Sequence, residues 1–367
     1  MIKILHFADL HLDSPFSLRS PREAERRRIE LQSDLSSIMM FIRAQKVDIC
    51  LIAGDLFDSE SVTPDTRALL ERELSSCPSC RFFLAAGNHD PLTADSPYAV
   101  MKLPENVHVF SPQKSVVRLD DLGVDVYGFS FDGKHDRVNP LVGYPTLDKE
   151  RINLLCCHGD LDGGADSPYG AFTRADIARS GFDYIALGHI HKGTGLQCEN
   201  GVYWAYPGCV EGRGFDETGE KGVLFGAVEK GNVAMKFLRI SKRRYEIAQV
   251  DVSDMSRAKA LDALRETARH YGEDAVLRLV LTGKTQKGFV FLPEEFEGAG
   301  YPQSVETVDQ TEIAPDFTAL EQNGTLAGVF YRLMRDKISR GEASEDALKY
   351  GLLALDDRNV ADFDVEV

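Results

Sequence analysis

The chain has 367 residues, 43% of them hydrophobic, seven cysteines and a formal net charge of −16. That length and apolar content predict a large catalytic domain with one or two smaller appendages. No apolar stretch reaches the roughly 18 residues of a membrane span, and an odd set of cysteines without framework spacing excludes a disulfide scaffold.

The amino terminus reaches Asp9 and His11 before a signal-like apolar region is complete, so a cytoplasmic protein without a membrane partner is expected. The acidic balance argues against nucleic acid, because binding to its backbone is driven by cationic side chains. Distribution softens that objection: residues 301–367 hold 14 acidic and 6 basic side chains, about half of the net charge. Basic groups cluster at Arg19, Arg22, Arg26, Arg27 and Arg28, and at Lys242, Arg243 and Arg244, where either DNA contact or an ordinary charged surface fits.

In chain order, residues 2–7 read as a strand ending in Asp9-Leu10-His11, and 21–45 as a helix. Strand 47–53 ends in Gly54-Asp55, a helix follows at 64–76, and strand 81–86 ends in Gly87-Asn88-His89-Asp90. Cys77-Pro78-Ser79-Cys80 has the spacing of half a zinc site, but no second pair follows, and Cys50, Cys156 and Cys157 read as small core residues. Strands at 124–129, 153–157 and 184–187 come next, the last two ending in His158-Gly159-Asp160 and Gly188-His189-Ile190-His191.

Residues 202–205, 223–228 and 233–240 read as short strands between Gly-rich turns, predicting a second, more antiparallel sheet that closes a sandwich. Beyond Lys242, a strand at 245–252, a helix at 256–271 capped by Ser253 or Ser256, and a strand at 276–282 form a small α+β unit. The last 55 residues read as helices. One carries Leu326, Phe330, Leu333, Met334 and Ile338, the other Ala347, Leu348, Leu352 and Leu355, and they are divided at Arg340-Gly341. Packing on the chain's own fold and docking on a partner helix both fit that pattern.

Five turns thus follow strands and carry Asp, Asn or His, and parallel strands would deliver them to one sheet edge. Carboxylate, amide and imidazole without thiolate suit Mn²⁺, Fe²⁺ or Zn²⁺ in an open site. Two such ions about 3.5–4 Å apart polarise a phosphoryl centre and hold a bridging water as hydroxide. One carboxylate must bridge them, and Asp55 stands alone on its turn. His6, His108, His135 and His270 lack comparable context and receive no role.

Together, Asp9-x-His11, Gly54-Asp55-x-x-Asp58, Gly87-Asn88-His89-Asp90, His158-Gly159-Asp160 and Gly188-His189-x-His191 resemble the motif series of calcineurin-like metallophosphoesterases. Their order, the Asp9-Leu10-His11-Leu12 form and the chain beyond residue 240 look most like the DNA-repair exonuclease branch, the SbcD-type nucleases, and within it the bacterial YhaO-type proteins.

The resemblance implies an α/β fold, a β-sandwich flanked by helices (α/β/β/α), with a small α+β capping domain and a carboxy-terminal helical element. The expected domains are 1–240 for two-metal chemistry, 241–314 for orienting DNA, and 315–367 for docking a coiled-coil ATPase of the SbcC or YhaN type; relatives often form homodimers. It further implies one metal held by Asp9, His11, Asp55 and His191, and a second held by Asp55, Asn88, His158 and His189. His89 would be free to stabilise or protonate the leaving oxygen, with Asp90 orienting it.

Where archaeal and eukaryotic members of the branch carry histidine, this chain has Asp58, which either orients His11 or neighbours the ligands. Tyr206-Pro207-Gly208 resembles a family turn whose backbone approaches the phosphate at Gly208, and an ordinary strand-ending turn fits it equally. The implied activity is that of a Mn²⁺-dependent DNA exonuclease or endonuclease in DNA repair, hydrolysing phosphodiesters by attack of a metal-bound hydroxide. A small-molecule phosphodiesterase or phosphoprotein phosphatase on the same centre is one alternative, and a partner-binding scaffold with a vestigial site is another.

Overall fold

The computed structural model describes residues 1–16, 20–164, 166–285, 288–313, 317–322 and 324–355; Arg19 lies outside the described residues. The chain divides into two compact units, 1–246 and 247–367.

The first unit opens with β1 (Ile2–Phe7), α1 (Pro21–Gln45), β2 (Ile49–Ala53), α2 (Pro64–Ser75), β3 (Arg81–Ala85), α3 (Pro97–Val100) and β4 (Val107–Val109). It continues with β5 (Ser115–Leu119), β6 (Val124–Gly128), β7 (Ile152–His158), α4 (Arg174–Ser180), β8 (Tyr184–Gly188), β9 (Gln197–Glu199), β10 (Val202–Ala205), β11 (Gly222–Glu229) and β12 (Asn232–Arg239). Local chemistry sets the helix ends. Pro21 begins α1 where a missing N–H costs nothing, Lys46 in a left-handed conformation (φ 53°) stops it, and Thr63 caps α2 by accepting from the Thr66 amide.

Two six-stranded sheets result, in the orders β12-β11-β1-β2-β3-β4 and β5-β6-β7-β8-β10-β9. β1 to β4 run parallel, as do β6, β7, β8 and β10, while β11, β12, β5 and β9 pair antiparallel. β2 and β8 are buried along their whole length, as parallel strands covered on both faces must be. Ile4, Leu51, Phe83, Val126, Leu154 and Ala186 fill the space between the sheets. The helices α1 and α2 cover the outer face of the first sheet through Leu31, Leu35, Ile38, Leu70 and Leu74, and α4 covers the second through Ile177. This is the α/β/β/α sandwich expected.

One topological expectation is corrected. The strands at 223–228 and 233–240 do not build the second sheet; β11 and β12 extend the first one from β1, and the second is assembled from residues 115–205. Nothing local in β11 and β12 says which sheet they join, since only the pairing with β1 decides it, and β5 and β9 escape notice because they are short, partly exposed edges.

The second unit receives the chain through β13 (Arg244–Asp251). It contains α5 (Arg257–Tyr271), β14 (Ala275–Thr282), β15 (Lys284–Thr285), β16 (Ser304–Asp309), β17 (Glu312–Ile313), α6 (Phe317–Gln322), α7 (Leu326–Ser339) and α8 (Glu345–Leu355). β13, β14 and β16 form a sheet on which α5 packs through Ala260, Leu264 and Ala268, with Ser256 as its cap. The last helices bury Tyr331 against Leu348 and Leu352, while Leu326 and Leu333 stay 71% and 60% exposed.

Candidate metal centre

The carboxyl ends of β1, β2, β3, β7 and β8 meet at one edge of the sandwich. They meet because glycine removes side chains where the sheets touch. A Cβ on Gly188 would lie 1.8 Å from the Ala53 carbonyl oxygen, and one on Gly54 would lie 2.3 Å from His158 Nδ1. The first two turns are hydrogen-bonded side by side, Asp9 N to Gly54 O at 3.0 Å and His11 N to Asp55 O at 3.1 Å. Asp9, His11, Asp55 and His189 all hold positive φ, 52°, 51°, 49° and 106°, a strain that persists only where surrounding structure imposes it.

Side chains from both sheets then converge. His11 Nε2 lies 3.2 Å from His191 Nε2 and 3.9 Å from Asp55 Oδ2, and Asp9 Oδ1 lies 4.0 Å from His191 Nε2. His158 Nε2 is 2.9 Å from Asn88 Oδ1 and 3.5 Å from Asp55 Oδ2, and His189 Nδ1 is 3.2 Å from the same Asn88 oxygen. Asp55 Oδ2 thus stands between the two groups, while its Oδ1 accepts from the His89 amide at 2.9 Å.

The donor set fits divalent cations. His158 Nδ1 donates to the Ala53 carbonyl at 2.9 Å, which leaves its Nε2 lone pair facing inward. His11 and His191 each place Nδ1 against a carboxylate, so their two Nε2 atoms, 3.2 Å apart, both turn inward. Burial lowers the His11 pKa to about 4; burial and the neighbouring His158 lower that of His189 to about 4, so both are neutral at neutral pH. Burial and the Asp55 charge push the Asp9 carboxyl well above its usual range. Burial also opposes ionisation of Asp55, which is held low by positive charge on the His158 and His11 rings, a role left to a cation where those rings are neutral. A cation supplies the positive charge that such an arrangement lacks.

Comparison with known proteins agrees with this geometry. Residues 2–193 match the calcineurin-like phosphoesterase family. The chain belongs to that family. It is 31% identical to the uncharacterized metallophosphoesterase YhaO of Bacillus subtilis (strain 168), over 94% of this chain and 88% of the relative. It is also similar to the SbcD component of the nuclease SbcCD of Rhodobacter capsulatus, 35% identical over 28% of this chain and 25% of that one. A third relative is the DNA double-strand break repair protein Mre11 of Methanopyrus kandleri, 24% identical over 95% of this chain and 74% of the relative. A calcineurin-like phosphoesterase is a metal-dependent phosphoesterase with a dinuclear divalent site, and the convergent side chains here offer the ligands for one.

All seven expected ligands, Asp9, His11, Asp55, Asn88, His158, His189 and His191, are brought together. Asp58 lies 3.1 Å from His11 Nδ1, a placement compatible with orienting that ring. Asp90 is a correction. Its buried carboxylate accepts from the amides of Gly87, Asp55, Leu56 and Phe57 and from the Tyr98 hydroxyl, and burial together with Asp55 raises its pKa to about 6. The exposed His89 ring instead donates Nδ1–H to the Asp58 carbonyl at 3.0 Å. Gly208, at φ 80°, lets its turn pack against the His191 turn, where a Cβ would meet the His191 carbonyl oxygen at 2.8 Å.

Other residues were missed. Glu217 Oε1 holds His191 Nδ1 at 2.6 Å, and Arg213 bonds to both Glu217 and Asp58. Burial would raise the Glu217 carboxyl, but His191 and Arg213 outweigh it and hold it far below the usual carboxylate range. Beside His89 a groove of about 470 Å³ is lined by Lys134, His135 and Tyr169 as well as Asp58 and Glu60, so His135 does have a place near the centre. The basic clusters are also corrected in part: Arg27 and Arg243 are buried and paired with Glu30, with Arg27 also bonded to Glu211, so they do not offer a surface to DNA. His6 is a satisfied core residue between Tyr184 Oη and the Leu187 carbonyl, and Cys77 and Cys80 are free thiols in the core.

Proposed function

We propose that this protein is a Mn²⁺-dependent DNA nuclease acting as exonuclease or endonuclease in DNA repair. The observation that carries the reading is the open groove beside His89, where one cation and two rings, Lys134, His135 and Tyr169, flank the ligand cluster. Cationic and aromatic groups along a groove suit a nucleic-acid strand, phosphates against the first and bases against the second. The nuclease and DNA-repair names of two relatives support the same substrate.

Asp9, His11, Asp55 and His191 hold one ion in this reading, and Asp55, Asn88, His158 and His189 the other. An oxygen- and imidazole-rich set without thiolate suits Mn²⁺, with Fe²⁺ or Zn²⁺ as competitors. Bound divalent ions supply Lewis-acid polarisation of the phosphodiester and activation of water at neutral pH. The chain's own groups do the rest. His89, fixed through Nδ1 by the Asp58 carbonyl, keeps Nε2 for the scissile phosphate and for proton delivery to the leaving oxygen. Lys134 draws the neighbouring phosphate into the groove.

The exposed Leu326, Val329 and Leu333 of α7 stand at helix spacing and support docking of a coiled-coil ATPase of the SbcC or YhaN type. Among the described residues no helix is long and apolar enough to cross a membrane, and a cytoplasmic site of action is proposed. Mn²⁺-loaded protein is expected to cleave linear DNA and a chromogenic phosphodiester, with His89→Ala lowering both by about 10²-fold or more at unchanged metal stoichiometry. Phosphomonoester hydrolysis without DNA cleavage, the outcome that a small-molecule or phosphoprotein substrate requires, overturns the nuclease reading.

A further inference from the structure

Behind the two imidazoles that close one side of the centre lies a layer of charge that the proposed reaction does not use. His11 backs onto Asp58 Oδ1 at 3.1 Å, and His191 backs onto Glu217 Oε1 at 2.6 Å. One guanidinium joins these carboxylates: Arg213 Nη1 donates to Asp58 Oδ1 at 2.7 Å, and Nη2 to Glu217 Oε1 at 3.0 Å. The Arg213 backbone amide donates to the second Glu217 oxygen at 2.7 Å, so the Glu217 end is held by main chain as well as side chain. The other two imidazoles are backed without such a bridge. His158 donates to the neutral Ala53 carbonyl, and the His189 ring lies against Tyr169 with centroids 4.9 Å apart.

We infer that Arg213 and Glu217 are positioning residues for one of the two cation sites, the one formed by Asp9, His11 and His191, and that the Asp58–Arg213–Glu217 bridge makes it the tighter site. A carboxylate behind a ligating imidazole fixes its tautomer and ring plane and raises the basicity of the inward nitrogen. Here two imidazoles receive that support, and the planar fork of Arg213 holds both supports in one geometry, which a lysine cannot do. The guanidinium has a second effect. Asp58 with His11 and His89, and Glu217 with His191 and Cys209, are themselves groups of cation-binding size, and Arg213 occupies both carboxylates so that the ion settles on the inner nitrogens. His158 and His189 gain no such charge, so the ion they share with Asn88 is the exchangeable one.

The inference rests on the two-ion reading above, and a Mn²⁺ titration of the full chain, followed by the electron paramagnetic resonance of free Mn²⁺, separates the two. Wild type is expected to bind two ions of unequal affinity. Glu217→Gln, which keeps shape and removes charge, is expected to weaken the tighter site by about 10–100-fold and to leave the weaker within about twofold. His189→Ala is expected to abolish the weaker step and keep the tighter one. Asp58→Asn, at the more accessible end of the bridge, must reproduce the selective loss if Glu217→Gln melts early without metal. Wild type binding fewer than two ions overturns the site reading. Two ions in wild type, with both variants weakening the sites equally or not at all, overturns the positioning role alone.

Discussion

At the scale of single residues, the centre separates side chains placed to hold ions from side chains that hold the turns. Asp90 belongs to the second kind. It satisfies four buried amides and a tyrosine hydroxyl, so Asp90→Ala is expected to cost about 3–5 kcal/mol of stability, read as a lowered urea midpoint of the metal-free protein. An undiminished midpoint would return Asp90 to a purely chemical role. The convergence of the seven candidate ligands was legible because each follows an apolar run at a tight turn, a pattern set by strand geometry. Asp90 was misplaced because adjacency to His89 does not say which way a side chain leaves a turn. Arg213 and Glu217 lie among Gly212, Gly214 and Gly219, and Lys134, His135 and Tyr169 lie in long connections, where no periodicity marks a residue as facing the centre.

Among the elements, α1 shows how a helical stripe was readable but misread. Arg27, Leu31, Asp34, Leu35 and Ile38 fall on one face, and all five are buried, so the basic run conceals an internal arginine and the same face carries an internal aspartate. Asp34 and Glu211 face each other as two groups that only accept hydrogen bonds, and their oxygens find partners only if one carboxyl keeps its proton. Burial first, then the Glu211 charge, raises the Asp34 pKa to about 9. An acid whose folded pKa is raised contributes stability that is complete below its unfolded value near 4 and is lost as pH rises through about 9. Asp34→Asn removes that loss, so the variant is expected to gain on wild type between pH 6 and pH 9, by at most about 1.4 kcal/mol per pH unit, in paired thermal melts. A constant difference across that range would show that no proton is shared. The sheets make a separate demand. Gly188→Ala would drive a methyl group into the Ala53 carbonyl, costing about 3 kcal/mol or more and moving the second sheet off the first, which a lowered melting temperature and weakened Mn²⁺ binding at both sites would report.

Across the whole molecule, every candidate ligand lies in the first unit, and the second contributes none among the described residues. The division of labour was legible in the placement of the motifs, while the path of β11 back to β1 was not, since only long-range pairing decides it. That pairing sets Ile2 opposite Val228, and the turns after β1, β2 and β3 meet those after β7 and β8 only once both sheets have closed on each other. Neither proposed cation site therefore has its full set of ligands until that closure. Divalent ions are expected to slow unfolding by tenfold or more and to leave the refolding rate unchanged, followed through Trp204, the single tryptophan, buried in the second sheet. Acceleration of refolding by Mn²⁺ would show that part of the centre forms early. The seam where Gly188 meets Ala53 thus acts in time as well as in space: a chain interrupted before that seam closes lacks the side chains of the β7 and β8 turns beside those of β1, β2 and β3.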